Sequence, residues 1–187
     1  MKTKNYYASG SMLYTRKGDQ GDTSAFGCSK RFSKNSAFAE ALGSIDELNS
    51  FLGLCKVKST DSEIKIIIEK IQEDLFIIQA ALSGANKKIT KKKIDYLEKI
   101  IDEIERKLSP IKSFFIAGGC ESSSLFDYAR TIARRAERKT VAFSESKKNK
   151  IDAEILAYLN RLSSVLYALA RFANLKSNIK EKSPSYR

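Results

Sequence analysis

Arg130, Arg134 and Arg138 recur at four-residue steps, with Arg135 and Glu137 set among them. At about 100° per residue the three arginines span about 80° of one helix face, opposite an apolar stripe of Leu125, Tyr128, Ile132, Ala136 and Phe143. Solvated charge gives such a face, but lysine and glutamate are its usual material. Guanidinium forks in register suit bidentate contact with phosphate or carboxylate, or with a neighbouring subunit. A second stretch, TRKGDQGDTSAFG from Thr15 to Gly27, holds three glycines and five Thr, Ser or Asp residues. Glycine lets backbone N–H groups turn toward a ligand, and hydroxyls add rotatable donors, so the composition suits phosphate oxygens; it equally makes an ordinary solvated loop. It lacks the lysine that follows G-x-x-x-x-G, and no apolar run leads into it, so neither standard phosphate-loop fingerprint applies.

The chain contains no histidine. That removes the common metal ligand and the common base near neutral pH, and with them Ser-His-Asp hydrolases, zincins and di-iron bundles. Cys28, Cys55 and Cys120 are widely spaced and odd in number, which fits reduced thiols better than disulfides or zinc. The formal net charge of +12 points to anionic partners. Much of it is clustered in KKITKKK at Lys87 to Lys93, KKNK at Lys147 to Lys150 and the lysine-rich end, and such runs at helix junctions usually solubilise.

Five helices must position these groups. One runs from about Ser36 to Val57 with Leu42, Ile45, Leu48 and Leu52 inward, and Gly43 and Gly53 suggest close helix contacts. Thr60 and Glu63 form a capping box before Ile64, Ile67, Ile71, Leu75, Ile78 and Leu82. Ile94, Leu97, Ile101, Ile104 and Leu108 repeat the pattern until Pro110, the arginine helix follows Gly118-Gly119, and a last helix carries Ile151, Ile155, Leu159, Leu162, Leu166 and Leu169. On that last helix Asn160, Tyr167, Arg171 and Asn174 share a narrow strip, the position normally taken by the wet side. The expectation is an all-α five-helix bundle in one domain, with an extended Gly/Thr/Ser-rich loop over 1–35, the bundle over 36–177 and a basic tail over 178–187. No apolar run approaches the ~20 residues of a membrane span, and MKTKNYYASG has no apolar leader, which predicts a cytoplasmic protein.

Five blocks in order, YTRKGDQGDTSAFG, EALGSIDELNSFLG, FFIAGG, ARTIARRAER and YLNRLSSVLYALARFAN, resemble the PduO-type ATP:cob(I)alamin adenosyltransferases. The resemblance implies a five-helix bundle assembled as a homotrimer, with ATP and cobalamin meeting at each subunit interface. It makes the opening loop the ATP-binding segment, with Thr15, Arg16, Lys17, Gly18, Thr23 and Ser24 around the nucleotide and Lys34 reaching the phosphates. Arg134, Arg135, Glu137, Arg138 and Asn160 would hold ATP from the neighbouring subunit, and Asp46 with Arg130 would form an intersubunit salt bridge. Phe114 would lie on the lower axial side of the corrin, keeping the dimethylbenzimidazole from cobalt. Ala117 stands where the family usually has proline, which predicts a less rigid Phe114 loop, and Cys120 and Glu121 replace small neutral or apolar residues.

The implied reaction needs no protein base. Cob(I)alamin is itself the nucleophile at the 5′-carbon of ATP, and the protein positions both partners and stabilises the departing triphosphate with arginines, amides and Mg²⁺. A flavoprotein reductase would supply the electron to four-coordinate cob(II)alamin. Two other classes compete: a basic helical nucleic-acid-binding protein, disfavoured because the basic runs lack interleaved aromatics, and a trimeric regulator that senses ATP or cobalamin without turnover.

Overall fold

The computed structural model describes residues 14, 16–25, 30–146 and 151–186. Its order is β1 (Asp22–Ser24), β2 (Arg31–Ser33), α1 (Ala37–Lys58), α2 (Ser62–Leu82), α3 (Lys91–Glu105), α4 (Glu121–Ser146) and α5 (Ala153–Lys176). The five expected helices are therefore present. The two strands were not legible, because three-residue strands in a polar segment carry no apolar alternation. They pair antiparallel, with Asp22 opposite Ser33 and Thr23 opposite Phe32.

The main core joins all five helices through side chains such as Leu48, Ile71, Leu97, Phe126, Leu162 and Leu166. Each such aliphatic side chain contributes about 1.5–3 kcal/mol of transfer free energy. A smaller cluster of Ala25, Phe38, Ala41 and Phe143 seats the hairpin, and the Phe32 ring lies 4.4 Å from that of Phe38. Cys55 sits in the main core, where burial pushes its thiol up to about 11 and keeps it protonated and unreactive.

Local details correct four expectations. The N-cap of α2 is Asp61, not Thr60: its Oδ1 accepts from the amides of Glu63 and Ile64 at 2.9 and 3.3 Å. Gly43 has nothing within 4 Å of a would-be Cβ and Gly53 has only Gln72 Nε2 at 3.6 Å, so neither marks a tight crossing. Tyr128 is exposed rather than core, and meets Phe51 edge-on at 5.0 Å. The strip on α5 is wet only at its start: Asn160 is exposed and Tyr167 half-buried, but Arg171 and Asn174 are 5% and 4% exposed, covered by the segments that precede α4 and follow α5.

Candidate active site

The turn before β1 is folded onto Lys34. The Lys34 amide donates to Gly21 O at 2.9 Å and its Nζ donates to Gly18 O at 2.9 Å. Gly18 is confined, since a Cβ there would come 3.1 Å from Lys34 Nζ and 3.2 Å from Asp22 O, and Gly21 turns the chain at φ +78°. Across the hairpin Arg31 Nε donates to Asp22 Oδ2 at 2.9 Å, and its Nη2 reaches Asp22 Oδ1 and the Lys17 carbonyl. That hydrogen bond, opposed by some desolvation, holds the Asp22 carboxyl below its ordinary range.

Between the hairpin, α1 and α2 lies an open cleft of about 740 Å³. Thr23, Ser24 and Lys34 line one part of it, Asp46 sits on the α1 wall, and Leu42 and Phe76 give it apolar surface. The size is that of a cofactor or nucleotide site, and its composition, hydroxyls and an ammonium beside apolar wall, suits phosphates joined to a ring. Arg16 and Lys17 lie exposed on the adjoining turn. Thr15 lies outside the described residues.

The arginine face belongs to a different surface. Arg135 pairs with Glu47 Oε1 and Lys139 with Glu40 Oε2 at 2.9 Å, which fastens that edge of α4 to α1. On the other edge Asn160 Nδ2 donates to Glu137 Oε1 at 2.9 Å, Arg161 Nη1 donates to Asn160 Oδ1 at 2.9 Å, and Arg161 Nε donates to Glu98 Oε1 at 2.7 Å. Arg134 and Arg138 stand exposed between these edges, with Arg138 Nη1 donating to the Arg134 carbonyl at 3.1 Å. Glu137 and Asn160 are thus joined to each other across α4 and α5. Among the described residues no α4 side chain lines the Lys34 cleft, so one chain does not unite the two sets.

Asp46 and Arg130 are also apart. Asp46 is exposed in the cleft, whereas Arg130 is half-buried, its guanidinium 5.9 Å from the Tyr167 ring centre. Arg130 Nε is buried and lacks a hydrogen-bond partner among the described residues; Asp127 Oδ1 is 3.9 Å away.

Phe114 is 79% exposed, which excludes a core-filling role. Its segment is held at the far end by Gly118 and Gly119, at φ +106° and +132°. Gly118 N donates to Asp127 Oδ2 at 2.9 Å, Asn174 Nδ2 donates to Gly118 O at 2.9 Å, and Cys120 N donates to Asn174 Oδ1 at 3.1 Å. Ser123 Oγ adds a bond to Gly118 O at 3.2 Å, and the Cys120 sulfur accepts from Ser123 N at 3.4 Å. These bonds fasten the chain just after Ala117, and Cys120 caps the start of α4. The anchors Asp127 and Asn174 were missed as site residues. The only signal for Asn174 was a polar side chain in register with Arg171 on an otherwise apolar helix.

The sequence model of the family described as Cobalamin adenosyltransferase matches residues 13–173. The chain is 39% identical over 166 residues to the corrinoid adenosyltransferase PduO of Salmonella typhimurium, covering 85% of this chain and 48% of that protein, so it spans about half that relative's length. It is 37% identical over 175 residues to the corrinoid adenosyltransferase of Bacillus subtilis, with 89% of each chain covered. A variant PduO-type ATP:corrinoid adenosyltransferase from Lactobacillus reuteri, solved in complex with cobalamin and ATP, superposes with a TM-score of 0.87 at 30% identity, covering 93% of this chain and 99% of that one. The sequence match and the shared five-helix architecture together establish that the chain belongs to the cobalamin adenosyltransferase family.

Proposed function

We propose that this protein transfers the 5′-deoxyadenosyl group of ATP to the cobalt of cob(I)alamin. The cobalt–carbon bond forms as the C5′–O bond breaks, and triphosphate leaves with the electron pair. The observation that carries this reading is the separation of a nucleotide-sized cleft bearing Thr23, Ser24 and Lys34 from an outward face bearing Arg134 and Arg138. Neither surface alone encloses a triphosphate; the cleft of one copy facing the arginines of the next does. The assembly is a homotrimer, in which Asp46 of one copy meets the unsatisfied Arg130 of its neighbour.

Within that assembly Thr15, Arg16, Lys17, Gly18 and Lys34 bind the nucleotide on one side. Arg134, Arg135 and Arg138 meet the leaving charge from the other, with Glu137 and Asn160 holding the arginine side in place. Mg²⁺ travels with ATP as its counter-ion; among the described residues no three carboxylates or thiols converge to cage a metal. The exposed Phe114 ring presents cobalt with a face that has no lone pair, so cob(II)alamin loses its lower ligand and accepts an electron from a flavoprotein reductase. The setting is the cytoplasm, and no helix among the described residues is long and apolar enough to cross a membrane.

The test is anaerobic incubation with ATP, Mg²⁺ and chemically reduced cobalamin, followed by absorbance. A light-sensitive alkylcobalamin spectrum is expected. Binding of both substrates without product would instead make the protein a sensor.

A further inference from the structure

The segment after α5 is not a free basic tail. Ser177 N donates to Ala173 O and Ile179 N to Asn174 O at 3.1 and 2.9 Å, and Asn178 takes φ +54°, so the chain reverses at the end of α5 and runs back beside residues 109–116. Ile116 N donates to Lys182 O at 2.8 Å, and the hydroxyls of Ser113 and Ser183 lie 2.7 Å apart. These two contacts bracket Phe114.

Arg171 fastens both strands of this arrangement. Its Nε donates to Glu181 Oε1 and Oε2 at 3.1 and 3.0 Å, its Nη2 lies 2.9 Å from Glu181 Oε2 and donates to Ser109 O at 3.1 Å, and its guanidinium lies 5.0 Å from the Phe115 ring centre. Both partners are largely withdrawn from water, with side chains 6% and 17% exposed. A withdrawn, doubly bonded guanidinium–carboxylate pair has one good geometry, and losing either partner leaves the other charge stranded. Phe114 meanwhile has almost no packing of its own, so its position is set by what holds its neighbours.

From this geometry we infer that Arg171 and Glu181 are positioning residues for Phe114, acting through the 177–186 segment. The inference rests on the proposed role of Phe114 at cobalt. The pair touches no substrate. It fixes where the Phe114 backbone sits, and therefore whether the ring can replace the lower ligand of cob(II)alamin.

The test compares Glu181→Gln, Arg171→Lys, Ser183→Ala and Phe114→Ala in the full chain. Two readouts are used: amide hydrogen exchange across 110–117, and the rates with cob(II)alamin plus a flavin reductant and with chemically generated cob(I)alamin. Glu181→Gln and Arg171→Lys are expected to speed exchange at Ile116 at least tenfold. They should lower the cob(II)alamin rate about tenfold and the cob(I)alamin rate less than threefold, the same split as Phe114→Ala; Ser183→Ala should do so more weakly, and Glu181→Asp should recover part of the loss. Unchanged exchange at Ile116, or equal losses in both assays, overturns the inference. Absence of product from the unaltered protein overturns the proposed function instead, while the exchange result still reports on the latch. Melting temperatures measured alongside identify a variant that fails to fold, and for such a variant Ser183→Ala carries the comparison.

Discussion

A Cβ on Gly119 would lie 2.2 Å from Asn174 Oδ1. Asn174 holds the Gly118 carbonyl and the Cys120 amide through its two side-chain atoms, so the helix that carries the arginines and the loop that carries Phe114 depend on one contact that only glycine permits.

Gly119→Ala therefore meets both a collision and a positive φ of +132°. The backbone strain alone costs on the order of 1–3 kcal/mol, and displacement of Asn174 adds the loss of its hydrogen bonds. Urea unfolding should show a lower midpoint at unchanged slope. A midpoint equal to that of the parent would mean that the loop relaxes freely.

Arg134→Ala should separate activity from folding. The side chain is exposed, so stability should shift by no more than about 0.5 kcal/mol. Loss of the proposed charged contact to the triphosphate would cost about 1.5–3 kcal/mol, or about 10–150-fold in kcat/KM for ATP. Steady-state kinetics beside circular dichroism make the check; parental kinetics would remove Arg134 from the nucleotide site.

If the proposed trimer pairs these two residues, Asp46→Arg should disrupt it, because it sets a cation against the half-buried Arg130 of the next copy. Combining it with Arg130→Asp restores opposite charges and should recover the trimer at least in part. Light scattering on the two single variants and the double variant reads this directly, and an intact trimer in both singles would show that the pair does not meet.

Asp61 links the start of α2 to the end of α5, since its Oδ2 pairs with Lys176 while its Oδ1 caps the helix. The Lys176 hydrogen bond, with the helix amides and against some desolvation, lowers its carboxyl below the ordinary 3.8. A folded value below the unfolded one means that this contribution is complete above about pH 4 and fades as pH falls through the folded value. Asp61→Ala should cost about 1 kcal/mol at pH 7 and progressively less in acid as pH falls below the ordinary 3.8, as measured by denaturant titration at each pH. An equal cost at both pH values would show that charge plays no part.

The helices were legible because each carries an apolar stripe of several turns, and the reading of α1 came within a residue of Ala37–Lys58. The α4 arginines and Glu137 were legible for the same reason, as polar side chains in register opposite an apolar stripe, whereas Asn160 read as part of a wet strip on α5 and was tied to them only by the family resemblance. The hairpin was not, since its order comes from Arg31 on Asp22 and Phe32 on Phe38, contacts that no local pattern announces. Asn174 and Arg171 look from the sequence like a wet strip. Their burial depends on where residues 109–120 and 177–186 return, and such long-range placement is absent from helical periodicity.

In the proposed trimer, the separation of the Lys34 cleft from the α4 arginines has a genetic consequence. Each reaction centre draws on two different chains, so a chain damaged at Lys34 still lends sound arginines, and a chain damaged at Arg134 still lends a sound cleft. Two defective alleles of these different kinds, expressed together, rebuild some intact centres, whereas two alleles of the same kind rebuild none. Interallelic complementation thus follows from placing the two groups on separate surfaces of one chain.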